Sequence, residues 1–570
     1  GKIIGSKLVT PWLSTHLPDT LRFFRSQDWK IVLALRLIPF APFDFLPGAM
    51  IGLVPLLLIE DEISKNKTWR KWRVFGCAYL FFAAFNFFTI WWVKNASWIG
   101  VIASVVINSF FFALLTTLYS SVKSRLSFKA GLIAFPAFFL GWEYIEFQDW
   151  DLSWPWLTIG HAFGNWPKLI QWFSYSGVLG GSLWLLIINI YVFLIVKSWR
   201  EKEEPFLRFK KAVQLALVVL VPSIISILQY YAYEEEGFEQ DIVVLQPNME
   251  PYSDNFMNSQ GEEYPSLSPI SHVRKFTKIA DNVMDDTVDW LLMHETALPK
   301  TETNFSLHYS PSIQVLKKWR DYKYPNTSIL TGLAFQEYKT DEDLKKNTVL
   351  PATYKRTYDG RYYEYFNSSV LINGEHDTLP QYHKSRLVIG VERIPSYFVY
   401  FQQYLTDFDS DPSAVIYNPN NAIQSEREVF YGLQDSSAVA PVICYESVFG
   451  EYLTDYVKRG ANFIGIITND SWWGDTPGYQ QHWSFARLRA IETRRSIARS
   501  ANTGTSGFIN QRGDELQKSE YLTLDCLRQK IKCNEKITFY VKYGDVIGKI
   551  GLGLAIMILL NLIVRKLIHK

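Results

Sequence analysis

Four stretches of this chain contain no Asp, Glu, Lys or Arg: Val74 to Val93, Asn95 to Val122, Leu169 to Val196 and Ala212 to Tyr233. Each is about as long as the roughly 20 apolar residues that a helix needs to cross a bilayer core. A chain built this way is expected to be a multi-pass helical membrane protein. Shorter apolar runs at Phe45 to Ile59, Ala130 to Trp142 and Ile550 to Val564 add candidates. With Ile31 to Phe43, which Arg36, Pro39 and Pro42 interrupt, the expected number is about eight spans. Trp29 to Ile59 reads as two short helices joined at the Pro-Phe-Ala-Pro-Phe stretch, and residues 1–28 as an N-terminal extension that resembles no cleavable signal peptide.

Loop charges predict an orientation. One set of alternate loops carries Lys65, Lys67, Arg70, Lys71 and Arg73, then Lys123, Arg125 and Lys129, then six basic residues from Lys197 to Lys211, then Arg565, Lys566 and Lys570, whereas the other set of short loops has only Lys94 and Lys168. The basic loops are expected in the cytoplasm. The 312 residues from Glu234 to Asp545 then lie on the opposite side, between a membrane part over 29–233 and a last span and tail over 546–570.

Within 234–545 the pattern changes. Ile242 to Gln246, Trp290 to Met293, Ser328 to Thr331, Ser369 to Ile372, Val439 to Cys444 and Phe463 to Thr468 read as strands. Helices are expected near His272 to Val283, Ser312 to Tyr322, Glu451 to Lys458 and Gln480 to Arg499, which makes a layered α/β domain. Phe508 to Glu515, with Gly513 at its turn, reads as a closing hairpin.

Composition narrows the chemistry. Lys and Arg number 58 against 56 Asp and Glu, so no basic excess favours nucleic acid. The four cysteines, Cys77, Cys444, Cys526 and Cys533, form no CxxC pair, and no HExxH run is present, so neither a zinc site nor another metal site is expected. His161, His294, His383 and His482 are scattered and read as hydrogen-bonding or supporting residues. The Cys526 and Cys533 spacing permits a local disulfide, as it permits two free thiols, and Cys77 reads as packing.

Three residues stand at or just after strand ends: Glu295, Lys384 and Cys444. Taken singly, such residues are more often a cap, a solvated loop charge or an inert core thiol. Their flanking motifs run in one order: Gln246-Pro247-Asn248, Glu295-Thr296-Ala297-Leu298-Pro299, Phe366-Asn367-Ser368-Ser369, Tyr382-His383-Lys384 through Glu392, Cys444-Tyr445-Glu446, and Asn469-Asp470-Ser471-Trp472-Trp473. Gln481-His482, Arg487 to Ala490 and Asn502-Thr503-Gly504 follow, and Trp154-Pro155-Trp156-Leu157 stands in the membrane part. In these motifs the 234–545 segment resembles the nitrilase superfamily, and residues 40 to 565 resemble its membrane-embedded branch, the apolipoprotein N-acyltransferases. One departure is Asn255-Phe256, where that branch often has Lys-Trp.

The resemblance implies an αββα sandwich with a Glu295–Lys384–Cys444 triad, Glu295 being the base and Cys444 the nucleophile. It implies Lys384 and the Tyr445 backbone N–H as oxyanion donors, with Glu392 and Glu446 in support. Asn248, Trp472 and Trp473 are substrate-binding candidates, and Trp150, Trp154 and Trp156 could join a gate around acyl chains. The implied reaction carries an acyl chain from a glycerophospholipid, typically phosphatidylethanolamine, through a Cys444 thioester to the α-amine of a diacylglyceryl-cysteine lipoprotein. It uses no cofactor and runs on the outer face of a bacterial inner membrane. A membrane-tethered amidohydrolase with the same triad, and a silent lipoprotein-binding scaffold, are the competing expectations.

Overall fold

The computed structural model describes residues 46–65, 70–148, 150–250, 268–346, 351, 353–374, 379–393, 395, 420–433 and 437–568. The expected extension over 1–28, the junction at Pro39 to Phe43 and the Asn255-Phe256 departure lie outside them.

The membrane part is helical: α1 (Leu46–Ile51), α2 (Val54–Lys65), α3 (Arg70–Ile90), α4 (Trp98–Arg125), α5 (Phe128–Glu146), α6 (Phe173–Arg200) and α7 (Pro205–Ala232). Among the described residues, five helical segments are long and apolar enough to cross a membrane: Trp72–Asn95, α4, α6, α7 and Val546–Ile568. That is fewer than the eight expected. The run from Phe45 to Ile59 is not one helix, because it breaks at Gly52-Leu53, where the Leu53 N–H donates to Asn189 Oδ1 (2.9 Å). Beyond Ile59, α2 carries Glu60 and Asp61, whose charges meet Lys123 and Lys197. The nineteen-residue α5 packs between α4 and the C-terminal helix. Along α7, Phe206, Phe209, Leu217, Ile224 and Leu228 stay exposed, the mark of a helix whose outer side meets lipid.

The 234–545 segment holds two sheets. The first comprises β1 (Phe238–Gln246), β2 (Trp290–Leu292), β3 (Leu298–Thr303), β4 (Ser328–Tyr338), β5 (Lys355–Arg356), β6 (Tyr362–Ile372), β7 (Gln381–His383) and, from the end of the segment, β14 (Asp525–Cys533). The second runs in spatial order β13 (Glu515–Lys518), β12 (Gly507–Ile509), β11 (Ile497–Ala501), β10 (Phe463–Thr468), β9 (Ala438–Ile443), β8 (Phe430–Tyr431). Strand alternation builds two cores. Ile242, Val244, Leu292 and Leu330 face the second sheet's Val439, Phe463 and Gly465, while Val243, Leu245 and Leu291 turn outward to α8 (Pro269–Ala280) and α9 (Pro311–Lys323). Helices α10 (Gly450–Lys458) and α11 (Pro477–Thr493) belong to the second sheet's layer, completing a nitrilase-like sandwich.

All six expected strands are present, and the closing hairpin is β12–β13, with Gly513 at φ 84°. One reading is corrected, and one left open is decided. The helix expected over Gln480 to Arg499 stops at Thr493, where Arg494 turns left-handed (φ 52°), and Ile497–Ala501 becomes β11 beside β10. Arg499 disguised this strand, since its charge is buried against Asp470. Cys526 and Cys533 are free thiols on one strand, paired with Leu245 and Phe238 at opposite ends of β1. Seven residues of extended chain hold them roughly 23 Å apart, far beyond disulfide reach.

α11 also joins the two parts. Its far face meets α6, which kinks at Gly177 (φ 62°), a point where an added Cβ would lie 2.2 Å from the Tyr540 ring. The helix restarts at Val178, whose N–H donates to Glu492 Oε1 (2.8 Å), and Arg489 pairs with the same carboxylate.

Candidate active site

Cys444 follows β9 at a sharp reversal. Its φ of 50° is left-handed, a costly conformation for a non-glycine residue, and it opens the 3-10 turn Cys444–Val448. Glu446 holds this turn in place. Its carboxylate accepts from the N–H groups of Ile443 (2.9 Å) and Ser385 (2.7 Å) and from the hydroxyls of Tyr382 and Tyr452 (2.6 Å each). One buried side chain thus ties the Cys444 turn to the Lys384 loop.

Glu295 follows β2 on a second strained turn, with Thr296 at φ 51°. Gly332 of β4 lies so close that an added Cβ would sit 2.5 Å from the Thr296 nitrogen and 2.7 Å from the His294 oxygen. Gly332→Ala is therefore expected to cost about 1–3 kcal/mol through overpacking and to displace Glu295. Denaturant unfolding and the rate of acyl transfer, measured on the same preparation, check both effects.

Lys384 lies just past β7, its N–H on the Asn367 carbonyl (2.8 Å). Its ammonium bridges Glu295 Oε1 (3.1 Å) and Glu392 Oε1 (2.9 Å), and the Asn367 amide donates to the same two oxygens (2.6 and 3.1 Å). The remaining oxygen of Glu295 accepts from the Asn469 N–H (2.9 Å), and that of Glu392 from the Val388 N–H (2.8 Å). Glu295 and Lys384 are thus buried, and Glu392 partly buried, each with fixed partners. Burial raises Glu295 above the usual carboxylate range against the pull of Lys384, and the Glu392 charge adds to the rise. Burial opposes the Lys384 charge, yet Glu295, Glu392 and the thiolate form of Cys444 hold it firmly protonated. Burial also pushes the Cys444 thiol up, the Glu295 charge pushes it further, and Lys384 only partly offsets them. At rest the sulfur keeps its proton and a base must remove it during attack.

Beneath Cys444 lies a network that sequence reading placed only as support. His482 Nε2 is 3.2 Å from the Cys444 carbonyl oxygen and 2.8 Å from Ser447 Oγ, and Nδ1 is 3.1 Å from Asp470 Oδ1. Asp470 is buried, but Arg499 and His482 hold its pKa at about 2. No motif signalled Arg499, because its charge lies within a strand. Asn367 and Asn469 were visible as motif residues, yet their contacts with Glu295 appear only in three dimensions.

The predicted aromatic residues divide. Trp156 is 1% exposed, stacked 6.4 Å from Tyr445 with planes 8° apart, and donates to Gln481 Oε1 (2.7 Å). Full burial there is incompatible with a belt anchor. Trp473 packs on Trp92, Trp156 and His482, its carbonyl latched by Asn95, while Trp472 is half-buried beside it. Asn248 is buried at φ 56°; its N–H donates to the Asn502 carbonyl and its amide to that of Leu522.

Two family models match the chain. One, described as the apolipoprotein N-acyltransferase N-terminal domain, matches residues 34–191, and the other, carbon-nitrogen hydrolase, matches 345–527. Whole relatives align across both: an apolipoprotein N-acyltransferase from Chlorobaculum tepidum is 28% identical over 91% of this chain and 92% of that protein. This chain belongs to the apolipoprotein N-acyltransferase family. Members from Pasteurella multocida (26% identical, 92% of each chain) and Haemophilus influenzae (25%, 90% of each) agree over the same extent. The hydrolase match contains Lys384, Glu392 and Cys444 but not Glu295, so for this member of the family the case for Glu295 rests on its contacts.

Proposed function

We propose that Cys444 takes an acyl chain from a glycerophospholipid and passes it to the N-terminal amine of a diacylglyceryl-cysteine lipoprotein. N-acylation of lipoproteins is the activity of the family, and the observation that carries the residue-level reading is the buried contact of Glu295 with Lys384, Asn367 and Asn469 at the site of Cys444. Glu295 takes the thiol proton as sulfur attacks the ester carbon, and Lys384 and the Tyr445 N–H stabilise the oxyanion. Collapse expels the lysophospholipid, which receives that proton. The lipoprotein amine then attacks the thioester, Glu295 accepts its proton, and the Cys444 thiol is restored. Glu392 orients Lys384, Glu446 braces the turn, and Asn248, Trp472 and Trp473 serve the substrate-binding side.

The donor is phosphatidylethanolamine, and the catalytic part lies on the periplasmic side of the inner membrane. The lysine- and arginine-rich loops around 65–73, 123–129 and 197–211 support that orientation. Intact-protein mass spectrometry tests the chemistry. A hydroxylamine-labile acyl mass should form on Cys444 with phosphatidylethanolamine and move to an added diacylated lipopeptide. Release of free acid and ammonia from a small amide, with no lipid product, would replace this reading with an amidohydrolase.

The pH dependence follows from Glu295. Its carboxylate must be ionised to act as base, and burial raises its pKa, so kcat/KM should rise with pH through a value above the ordinary carboxylate range and fall below it. Acylation rates between pH 4 and 8 check this; a profile that is flat down to the usual glutamate value removes Glu295 from the role.

A further inference from the structure

The Cys444 carbonyl and the Tyr445 N–H are opposite ends of one planar trans peptide unit, so a group that fixes the direction of the oxygen also fixes that of the hydrogen. Tyr445 stands at the start of the 3-10 turn Cys444–Val448, where an N–H finds no acceptor within the turn itself. Two side chains hold the oxygen end of this unit. Ser447 Oγ donates to the Cys444 oxygen (2.8 Å), and His482 Nε2 lies 3.2 Å from that oxygen and 2.8 Å from Ser447 Oγ. A carbonyl oxygen can only accept, so Nε2 carries a hydrogen and shares it between the two oxygens.

The other ring nitrogen fixes the same tautomer. His482 Nδ1 is 3.0 Å from Arg499 Nη2, which can only donate. Burial and the Arg499 charge hold the imidazole below its ordinary pKa against the pull of Asp470, so the ring is neutral, with Nδ1 accepting and Nε2 donating. Arg499 is held in turn by Asp470 Oδ2 (2.7 Å) and the Thr505 carbonyl (3.1 Å). Ser447, Asp470, His482 and Arg499 are all fully buried, and Trp156 and Trp473 pack on the imidazole. Apolar side chains could fill this space without the desolvation that a buried charge pair costs. What the pair adds is one tautomer, aimed at a backbone oxygen of the reacting turn.

We infer that His482, with Ser447, positions the oxyanion donor: by holding and polarising the Cys444 carbonyl, the two side chains aim the Tyr445 N–H at the developing oxyanion and strengthen it. The inference rests on the acyl-transfer reading above. Within it, Arg499 and Asp470 serve to set the His482 tautomer.

The test compares two reactions of Cys444 in the full-length protein in nanodiscs. Acylation by phosphatidylethanolamine passes through an oxyanion, whereas alkylation by iodoacetamide displaces iodide without forming one. Mass spectrometry of the Cys444 peptide reads both rates. His482→Phe keeps a ring but loses the donor, and should slow acylation by about 10²-fold, the scale of one oxyanion donor, through kcat and not KM, while alkylation is unchanged. His482→Gln, whose amide nitrogen can stand where Nε2 stands, should keep most of the acylation rate. Ser447→Ala removes the second donor to the same carbonyl and should lower acylation by a smaller factor, again without slowing alkylation; this result stands even if His482→Phe misfolds. Equal losses in the two reactions would overturn the inference and leave the network as a brace for the turn. A glutamine variant that falls as far as the phenylalanine one, or parental acylation in either His482→Phe or Ser447→Ala, would overturn it as well. Absence of an acyl adduct on the wild-type protein, with Cys444 still alkylated, would instead remove the acyl-transfer reading, and the positioning role with it.

Discussion

Lys384→Met should abolish acyl transfer and destabilise the protein by about 3–5 kcal/mol, the cost of removing one partner from a buried ion cluster. The lysine is the only cation contacting Glu295 and Glu392 among the described residues, and its side chain is 1% exposed. Without it, the two carboxylates face each other across the site and one must take up a proton. Glu295, already raised by burial, would be held in its acid form and could not relieve Cys444 of its proton. The double variant Lys384→Met with Glu392→Gln should regain part of the stability, because it removes the repulsion, while activity stays lost. Unfolding midpoints and single-turnover acylation separate the two effects. Recovery of activity in the double variant would show that Lys384 serves only to neutralise charge.

Cys444→Ser should lower acyl transfer by at least about 10⁴-fold and yield no thioester, because a serine hydroxyl gives up its proton far less readily than a thiol. The exchange of sulfur for oxygen is nearly isosteric, and the φ of 50° at residue 444 is a property of the turn held by Glu446. The variant should therefore fold, and its melting temperature should match that of the parent. Retained transfer at near-parental rates would place the nucleophile elsewhere.

Much of this was legible before any coordinates. The strands before Glu295 and at Cys444 could be read from apolar runs, whereas the three-residue β7 that introduces Lys384 was not among the strands the sequence announced. What escaped was charge hidden inside regular structure. Arg499 made a buried strand look like helix, and Glu60 with Asp61 made an apolar run appear to end early. Pairing across long sequence distances was equally invisible: β14 joins β1 some 290 residues away, so no local pattern announces it or separates Cys526 from Cys533. The donors to Glu295 from residues 367, 384 and 469 are likewise a product of folding, because proximity in the sequence says nothing of them.

The capping of the α6 restart by Glu492 has a consequence for handling the enzyme. A backbone N–H of a membrane-spanning helix is satisfied by a side chain from the polar segment, and Trp156 packs against Tyr445, Trp473 and His482 around the Cys444 turn. The polar segment is therefore no cargo on an interchangeable tether. Excised as a fragment, or grafted onto a different anchor, it would lose the aromatic packing that supports its Cys444 turn, so the chain must be produced and purified as one piece.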